Sequence, residues 1–220
     1  MAAMRRVLTS DETQARDRIV ALSEAAGRAI EQALRCFRDH DTVLAREVVD
    51  RDADINELQR KIEEGCFAAI ALQQPVASDL RDLVSDMNIA GELERIADHA
   101  ADIAKIVVQM DAAPLAAFAG SIERLGEECR RMLAAVIRAY QERDERRARA
   151  VAADDDGVDR LEQQITADIL TYLSDNPDQI RPSTHALWVA HNIERIGDRV
   201  TNIAERVVFM TTGQYADLNR

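Results

Sequence analysis

Apolar residues recur at intervals of three and four along most of the chain, which is the spacing of the buried face of an α-helix. The second and third series are the clearest. One comprises Val48, Ile55, Leu58, Ile62, Cys66, Ala69 and Ile70, and the next comprises Leu80, Leu83, Met87, Ala90, Leu93, Ala97, Ala100, Ala104 and Val107. The pattern predicts long helices, each with one buried face.

Capping and turn signals divide this pattern into six helices. Thr9 followed by Glu12 forms a capping box that opens the first helix, and Pro75 suits the first turn of the third. Gly213 follows the last helix as its C-cap, while Pro182 predicts a kink or a helix start just after it. The predicted helices span 9–38, 42–73, 75–110, 115–142, 144–173 and a final segment that ends near 212, with a linker at 111–115.

The second half of the chain repeats the first. At an offset of 100 residues, Arg81, Glu94, Arg95, Asp98 and Ala104 meet Arg181, Glu194, Arg195, Asp198 and Ala204. At an offset of 103, Asp41, Val48, Asp52, Leu58 and Ile62 meet Asp144, Val151, Asp155, Leu161 and Ile165. We therefore predict an all-α fold of two tandem, pseudo-symmetric three-helix bundles made of six long antiparallel helices, at residues 1–111 and 112–220.

The composition agrees with this prediction and limits the kinds of partner that the protein can bind. Aromatic residues make up only 4% of the chain, and a formal net charge of −12 argues against nucleic acid, whose phosphates are bound by Lys and Arg. Cys36, Cys66 and Cys129 lack any CxxC spacing, so we expect them in the core of a protein from a reducing compartment. No secretory signal or membrane-length apolar run is present. We expect a cytoplasmic location, with membrane contact only through partners.

Oxygen-bearing side chains stand four residues apart in the third helix of each repeat. Glu94, Asp98 and Asp102 form one stripe, and Glu194, Asp198 and Asn202 form the other. Like charges at this spacing repel each other on an exposed helix. Arg95 and Arg195 stand three residues before Asp98 and Asp198, so ion pairs within the helix are one explanation. Neither Glu94 nor Glu194 has a lysine or arginine three or four places away, and only His191 precedes Glu194 by three. A partner with a fixed positive charge must come from another helix, solvent or a metal.

The second helix of each repeat supplies further oxygen atoms at the same spacing. Asp52 stands four residues before Asn56, and Asp155 stands four residues before Asp159. If these residues face the stripes, the oxygens of two neighbouring helices can hold Mg²⁺, Mn²⁺ or iron. A solvated acidic face is an equally ordinary explanation. The occurrence of the pattern in both halves favours a metal site.

The segments 74-QPVASDLRDLVSDMNIAGELERIADHAADIAK-105 and 192-NIERIGDRVTNIAE-205 resemble the PhoU family of phosphate-uptake regulators, in which an E(D)xxxD motif is duplicated. The resemblance covers nearly the whole chain and implies metal ions or multinuclear clusters, with iron, manganese, magnesium or zinc open as the element. The family motif falls on Glu94, Asp98, Glu194, Asp198, Asp52, Asp155 and Asp159. Asn56 departs from the acidic pattern, so we expect the first site to be weaker or to hold fewer ions.

The resemblance also implies a function. The implied function is that of an accessory protein, which represses the phosphate-starvation response by linking the ATPase subunit of the phosphate ABC transporter to a sensor histidine kinase. Whether the protein forms a homodimer is left open. A PhoU-like regulator of another transporter and a metal-storing bundle without a signalling role are the alternatives. Phosphate itself is a poor direct ligand, since the stripe is anionic and no glycine-rich cradle is present. We expect it to be sensed through the partners.

Catalytic signatures are missing from the sequence. A di-iron enzyme of the bundle type needs a Glu-x-x-His step, and no Glu has His three residues later. No serine or cysteine nucleophile motif is present. His191 and His99 lie beside the stripes, where a structural role is the simpler interpretation and His191 is the better candidate ligand. Trp188 and Met87 lie on apolar faces and are expected in the core. We therefore expect no enzymatic activity.

Overall fold

A computed structural model of the protein describes residues 2–111, 113 and 115–218, with side chains from residue 14 onward. The described residues form six α-helices and one short 3₁₀ turn, and no strand occurs among them. The helices are α1 (Ala2–Asp39), α2 (Thr42–Gln73), α3 (Ser78–Gln109), α4 (Ala116–Glu142), α5 (Glu145–Asp175) and α6 (Ile180–Thr212), and the turn is Pro177–Gln179. The predicted all-α fold is confirmed.

The start of α1 differs from the prediction. The helix begins at Ala2, upstream of the capping box predicted at Thr9 and Glu12, and the side chains of those two residues lie outside the described ones. Residues 2–8 contain alanine, arginine, leucine and methionine, which are strong helix formers, so nothing local ends the helix at residue 9.

A left-handed residue followed by a capping aspartate connects the first two helices in each repeat. His40 has φ 50° and Arg143 has φ 53°, and each of these left-handed residues ends a helix. The following aspartate caps the next helix: Asp41 accepts hydrogen bonds from Val43 N and Leu44 N at 3.1 and 2.9 Å. Asp144 accepts one from the N–H of the third residue after it, at 3.0 Å. Local sequence thus sets both turns.

The two prolines of the longer connections behave differently from the prediction. Pro75 lies before α3, in a connection where Gln74 and Ala77 adopt φ 50° and 51°. The α-helical conformation is disfavoured for a residue that precedes proline, which explains why α2 ends before Gln74. Pro182 lies in the first turn of α6 and needs no kink, because N–H groups there have no partner within the helix. Gly213, with φ 75°, caps α6 as predicted.

Four of the helices form a ring in which α1 packs on α3, α3 on α6, α6 on α4, and α4 on α1. Helix α2 packs against α1 and α3, and α5 packs against α4 and α6. The contact between α3 and α6 is antiparallel and pseudo-symmetric. Arg199 Nη1 lies 3.6 Å from Glu92 Oε2, and at the equivalent positions His99 Nδ1 lies 3.1 Å from Asn192 Oδ1. The two bundles therefore meet along their third helices.

The core consists mainly of Ile, Ala, Val and Leu from all six helices, and the three cysteines are buried within it, as predicted. Met87 packs against its edge. The prediction for Trp188 is wrong, because 54% of its surface is exposed. It stands one residue before buried Val189, about 100° away around the helix axis, and its size alone does not decide its burial.

The domain boundary predicted near residue 111 remains a prediction, and residues 112 and 114 of the predicted linker lie outside the described part of the chain. None of the described helices is both long enough and apolar enough to cross a membrane.

Candidate metal sites

The first group of carboxylates lies between α2 and α3. Burial raises the pKa of Asp52 on α2, and the charge of Asp98 on α3 raises it further. The pKa of Glu94 is raised by burial and then by the charges of Asp98 and Asp52. The charge contributions to these shifts come from both helices, which means that the carboxylates of α2 and α3 lie close together. The structure thus brings the predicted α2 and α3 oxygens to one groove.

Two other members of the first group lie at its edge. Asn56 is exposed, and its Nδ2 donates to Asp52 Oδ2 at 3.3 Å. Asp102 is half-buried and accepts a hydrogen bond from Lys105 Nζ at 2.7 Å, and its charge contributes to the raised pKa of Asp52. An amide donor and an ammonium therefore border the first group.

The second group lies between α5 and α6 and is more strongly coupled. Burial raises the pKa of Glu194 to about 7, with the charges of Asp198 and Asp159 adding to the shift and Arg195 opposing it. Burial likewise raises the pKa of Asp155 to about 6. The pKa of Asp159 is raised by burial and by Asp198. Carboxylates of the two helices face each other here as well.

The remaining candidates are placed less centrally. Arg195 Nη1 donates to Asp198 Oδ2 at 2.9 Å, which is the ion pair within the helix considered above as an explanation for the stripe. Asn202 is not brought into the second group, because its Nδ2 donates to Glu92 Oε2 on α3 at 3.1 Å. The third residue of the stripe therefore serves the contact between the bundles.

The two histidines also differ in position. His191 is exposed, and its Nδ1 lies 3.5 Å from Glu194 Oε2 without making a hydrogen bond. His99 is turned away from the carboxylates toward Asn192, and burial lowers its pKa. His99 thus has a structural partner, while His191 borders the second group.

Three carboxylate oxygens in these grooves have no hydrogen-bond partner among the described residues. They are Asp52 Oδ1, Asp155 Oδ1 and Glu194 Oε2, and all three are buried. A buried acceptor without a partner costs about 1–3 kcal/mol, so native proteins rarely retain one without a use for it. The unpaired oxygens occur in both repeats. Asp52 and Asp155 are related by the duplication, and Glu194 lies on α6, the helix that packs against the helix of Asp155.

The described side chains do not form a finished metal site. No three carboxylate, imidazole or thiol groups among them converge as a complete set of ligands. The donors available are nevertheless hard oxygens from two adjacent helices, which suits magnesium, manganese or iron. Zinc prefers nitrogen and sulfur ligands and fits less well. The residues fit a hard cation, provided that the carboxylates turn toward it.

The structure adds residues to the second group that the sequence did not single out. Gly197 allows close approach, since a Cβ there would lie 2.8 Å from Asp155 Oδ1. Thr201 is buried, and its Oγ1 donates to Asp155 Oδ2 at 3.0 Å. The charge of Glu162 raises the pKa of both Asp159 and Glu194. Glu162 follows Asp159 by three residues, and that helical spacing could have found it.

Comparisons with known proteins agree with this architecture. The sequence model of the PhoU domain matches residues 19–107 and 122–207, one match in each repeat. A phosphate-specific transport system accessory protein PhoU homolog of Clostridium acetobutylicum is 31% identical over 98% of this chain and 99% of its own length. A PhoU homolog of Caulobacter vibrioides is 38% identical over 89% of this chain and 86% of its own. The crystal structure of PhoU from Pseudomonas aeruginosa superposes with a TM-score of 0.89 at 28% identity, covering 94% of this chain and 99% of that one.

Proposed function

The chain belongs to the PhoU family, and from that premise we propose that it is a metal-binding, non-enzymatic regulator of phosphate uptake and of the phosphate-starvation response. Its relatives are named as accessory proteins of a phosphate-specific transport system. The proposal has two parts, a pair of cation sites in the grooves and a protein-binding role for the helical surface. We also propose that the protein is cytoplasmic.

The metal part is carried by one observation. Asp155 is only 7% exposed, and its Oδ1 is buried without a hydrogen-bond partner while Asp159 and Asp198 place negative charge beside it. A bound cation supplies the positive charge that offsets this repulsion. Asp52 presents the equivalent orphaned oxygen in the first repeat. The same arrangement in both repeats supports a shared role rather than a local defect in packing.

The residues that hold the ions come from the second and third helices of each repeat. In the first group they are Asp52, Asn56, Glu94 and Asp98, with Asp102 at the edge. In the second they are Asp155, Asp159, Glu194 and Asp198, joined by Glu162. Asn202 is left out because it bonds to Glu92. Iron, manganese and magnesium are the candidate elements, ahead of zinc.

The protein-binding part rests on apolar side chains that the fold leaves exposed. Phe67, Leu72 and Val76 stand before and within the α2–α3 connection, where 60%, 76% and 72% of their surfaces are exposed. Ile180 and Trp188 follow the α5–α6 connection and are similarly exposed. Contiguous exposed apolar surface marks protein-interaction sites, and we infer that these side chains contribute to such surfaces. We assign them to the transporter ATPase subunit and the sensor histidine kinase, with a homodimer as the competing arrangement.

A phosphate-responsive reporter tests the regulatory part. Deletion of the gene should raise reporter expression in high phosphate, and the wild-type gene should restore repression. Expression that stays unchanged in the deletion strain would refute control of the phosphate response and favour another transporter or a storage role.

Elemental analysis tests the metal part. Purified wild-type protein should carry more metal than the double variant Glu94→Ala/Glu194→Ala. The matched control is Glu47→Ala/Glu145→Ala, which removes one carboxylate per repeat from exposed ion pairs with Arg51 and Arg149. Equal metal content in the wild type and the Glu94→Ala/Glu194→Ala variant would refute the assignment of the sites.

A further inference from the structure

The first carboxylate group has a fixed positive charge at its edge. Lys105 Nζ donates to Asp102 Oδ1 at 2.7 Å at the edge of the first group. The pKa of Lys105 is raised mainly by this hydrogen bond and also by the charges of Asp52 and Asp98. One ammonium is therefore within electrostatic reach of carboxylates on both α2 and α3.

The second group has an acid at the corresponding position. Glu205 aligns with Lys105 at the offset of 100, and its Oε1 accepts a hydrogen bond from Leu218 N at 2.8 Å. The arginine beside this group, Arg195, pairs with Asp198 one turn away on its own helix and leaves Asp155 Oδ1 without a partner. The side chain that approaches Asp155 is instead the hydroxyl of Thr201.

The donor sets also differ in charge. Asp159 and Glu162 of the second group correspond to Asn56 and Gln59 in the first, at the offset of 103. The first groove thus has two amides in place of two carboxylates and carries an ammonium in addition. A metal ion that enters the first groove is attracted by less negative charge. It is also repelled by the Lys105 ammonium, which it must displace.

We propose that Lys105 is a tethered cation that competes with metal ions for the first carboxylate group, so that the two halves load in order. The α5–α6 group fills first, and the α2–α3 group fills only at a higher metal concentration, when Lys105 turns away. This inference rests on the proposed metal-binding function and deepens it, since it makes the first site responsive to metal concentration while the second stays filled.

The test is a titration of metal-free protein with Mn²⁺, followed by calorimetry and by the electron paramagnetic resonance signal of the free ion. The wild type should show a tight and a weak class of sites. Glu194→Ala should remove the tight class, and Glu94→Ala should remove the weak one. Lys105→Met should tighten the weak class about tenfold or more, the size typical of charges and contacts next to metal ligands, and leave the tight class unchanged.

The chain offers a matched control, because its other lysine, Lys61, is equally exposed and pairs with Glu57 at 3.4 Å on the outer surface of α2. Lys61→Met changes the net charge by the same amount and should leave both classes unchanged. Lys105→Arg keeps a cation and should keep the weak affinity. Circular dichroism of each variant should show the wild-type helix content, which ensures that binding is compared between folded proteins.

Two results would overturn the inference. If Lys105→Met leaves the weak class unchanged, or if Lys61→Met tightens it equally, Lys105 is no specific competitor. These results leave the proposed metal function intact, provided that Glu194→Ala still removes a class of sites. A wild-type protein that binds no Mn²⁺ would overturn the metal function and the inference together.

Discussion

Gly197 on α6 and Asp155 on α5 approach each other so closely that a Cβ on the glycine would lie 2.8 Å from Asp155 Oδ1. That distance is too short for a real contact between a carbon and an oxygen atom, so the carboxylate keeps its place only because residue 197 has no side chain. The first repeat has Ala97 at the corresponding position, where it is buried. The two grooves therefore differ in backbone approach as well as in charge.

Gly197→Ala should move Asp155 and lower the metal content of the second group. Alanine favours a helix over glycine by about 1 kcal/mol, yet the variant should be no more stable than the wild type because the new methyl group meets Asp155 and Val158. Urea unfolding and Mn²⁺ titration measure the two effects. The control is Gly91→Ala on α3, where an added Cβ meets nothing within 4 Å, and this variant should gain stability. An equal gain in the two variants would contradict the account of Gly197.

Thr201→Val should destabilise the metal-free protein by about 1–3 kcal/mol, because Asp155 would lose the hydrogen bond to Oδ2 and remain buried with neither oxygen satisfied. Thr201→Ser keeps the hydroxyl donor and should lose much less. Urea unfolding of the metal-free forms measures the difference. If valine and serine behave alike, the hydroxyl group is not what holds Asp155.

The metal-free protein should lose stability as the pH rises from 5 to 8. Burial raises the pKa of Glu194 to about 7 and that of Asp155 to about 6, so the folded state binds protons in a range where the unfolded state, with ordinary carboxyl pKa values near 4, has released them. Stability therefore falls as the pH rises toward these folded-state pKa values, and it levels off above about pH 7, where both states have released the protons. Urea titrations at several pH values measure the slope.

Glu194→Gln isolates this contribution, because glutamine cannot ionise and should flatten the slope. Glu145→Gln, which alters an exposed carboxylate paired with Arg149, should leave the slope at its wild-type value. Saturating Mn²⁺ should also weaken the effect, since an ion holds the carboxylates in their charged form. A Glu194→Gln slope equal to that of the wild type would show that this group does not titrate in the expected range.

Local signals in the sequence predicted the helices well and predicted side-chain direction less well. Asp41 and Gly213 act through neighbouring backbone groups, so their roles can be inferred from a few residues. Asn202 stands eight residues after Glu194, and eight helical steps turn a side chain by about 80°. A stripe at four-residue spacing therefore winds from the α5 side of α6 onto the α3 side. The sequence shows the spacing but not where the stripe leaves the groove.

The parts of the site that depend on the distance between neighbouring helices could not be predicted from the sequence. The role of Gly197 depends on how near α5 lies, and that of Thr201 on the side chain it meets. Lys105 follows Asp102 by three residues, which is visible in the sequence, but its reach toward Asp52 on α2 is not. Charge type and periodicity predict a groove, while packing decides which neighbours complete it.

A different cluster joins the bundles at the end of the molecule where α4 ends. Both terminal nitrogens of Arg143 donate to Asp82 on α3, with Nη2 at 3.0 Å from Oδ1, and Arg16 on α1 lies 3.4 Å from the same carboxylate. Asp82 is only 8% exposed. At the other end, the residue that corresponds to Arg143 is His40, and its Nε2 lies 3.2 Å from the carbonyl oxygen of Met110.

Arg143→Ala should therefore cost about 3 kcal/mol or more, because it leaves a buried carboxylate with one distant partner, and removal of one member of a buried pair is far costlier than loss of a surface pair. Arg147→Ala breaks an exposed ion pair with Glu142 and should cost less than about 1 kcal/mol. Asp82→Asn in the Arg143→Ala background should recover part of the loss, since the buried charge is then gone. Urea unfolding of the four proteins measures these differences, and equal costs for the two arginines would show that the cluster does not hold the bundles together.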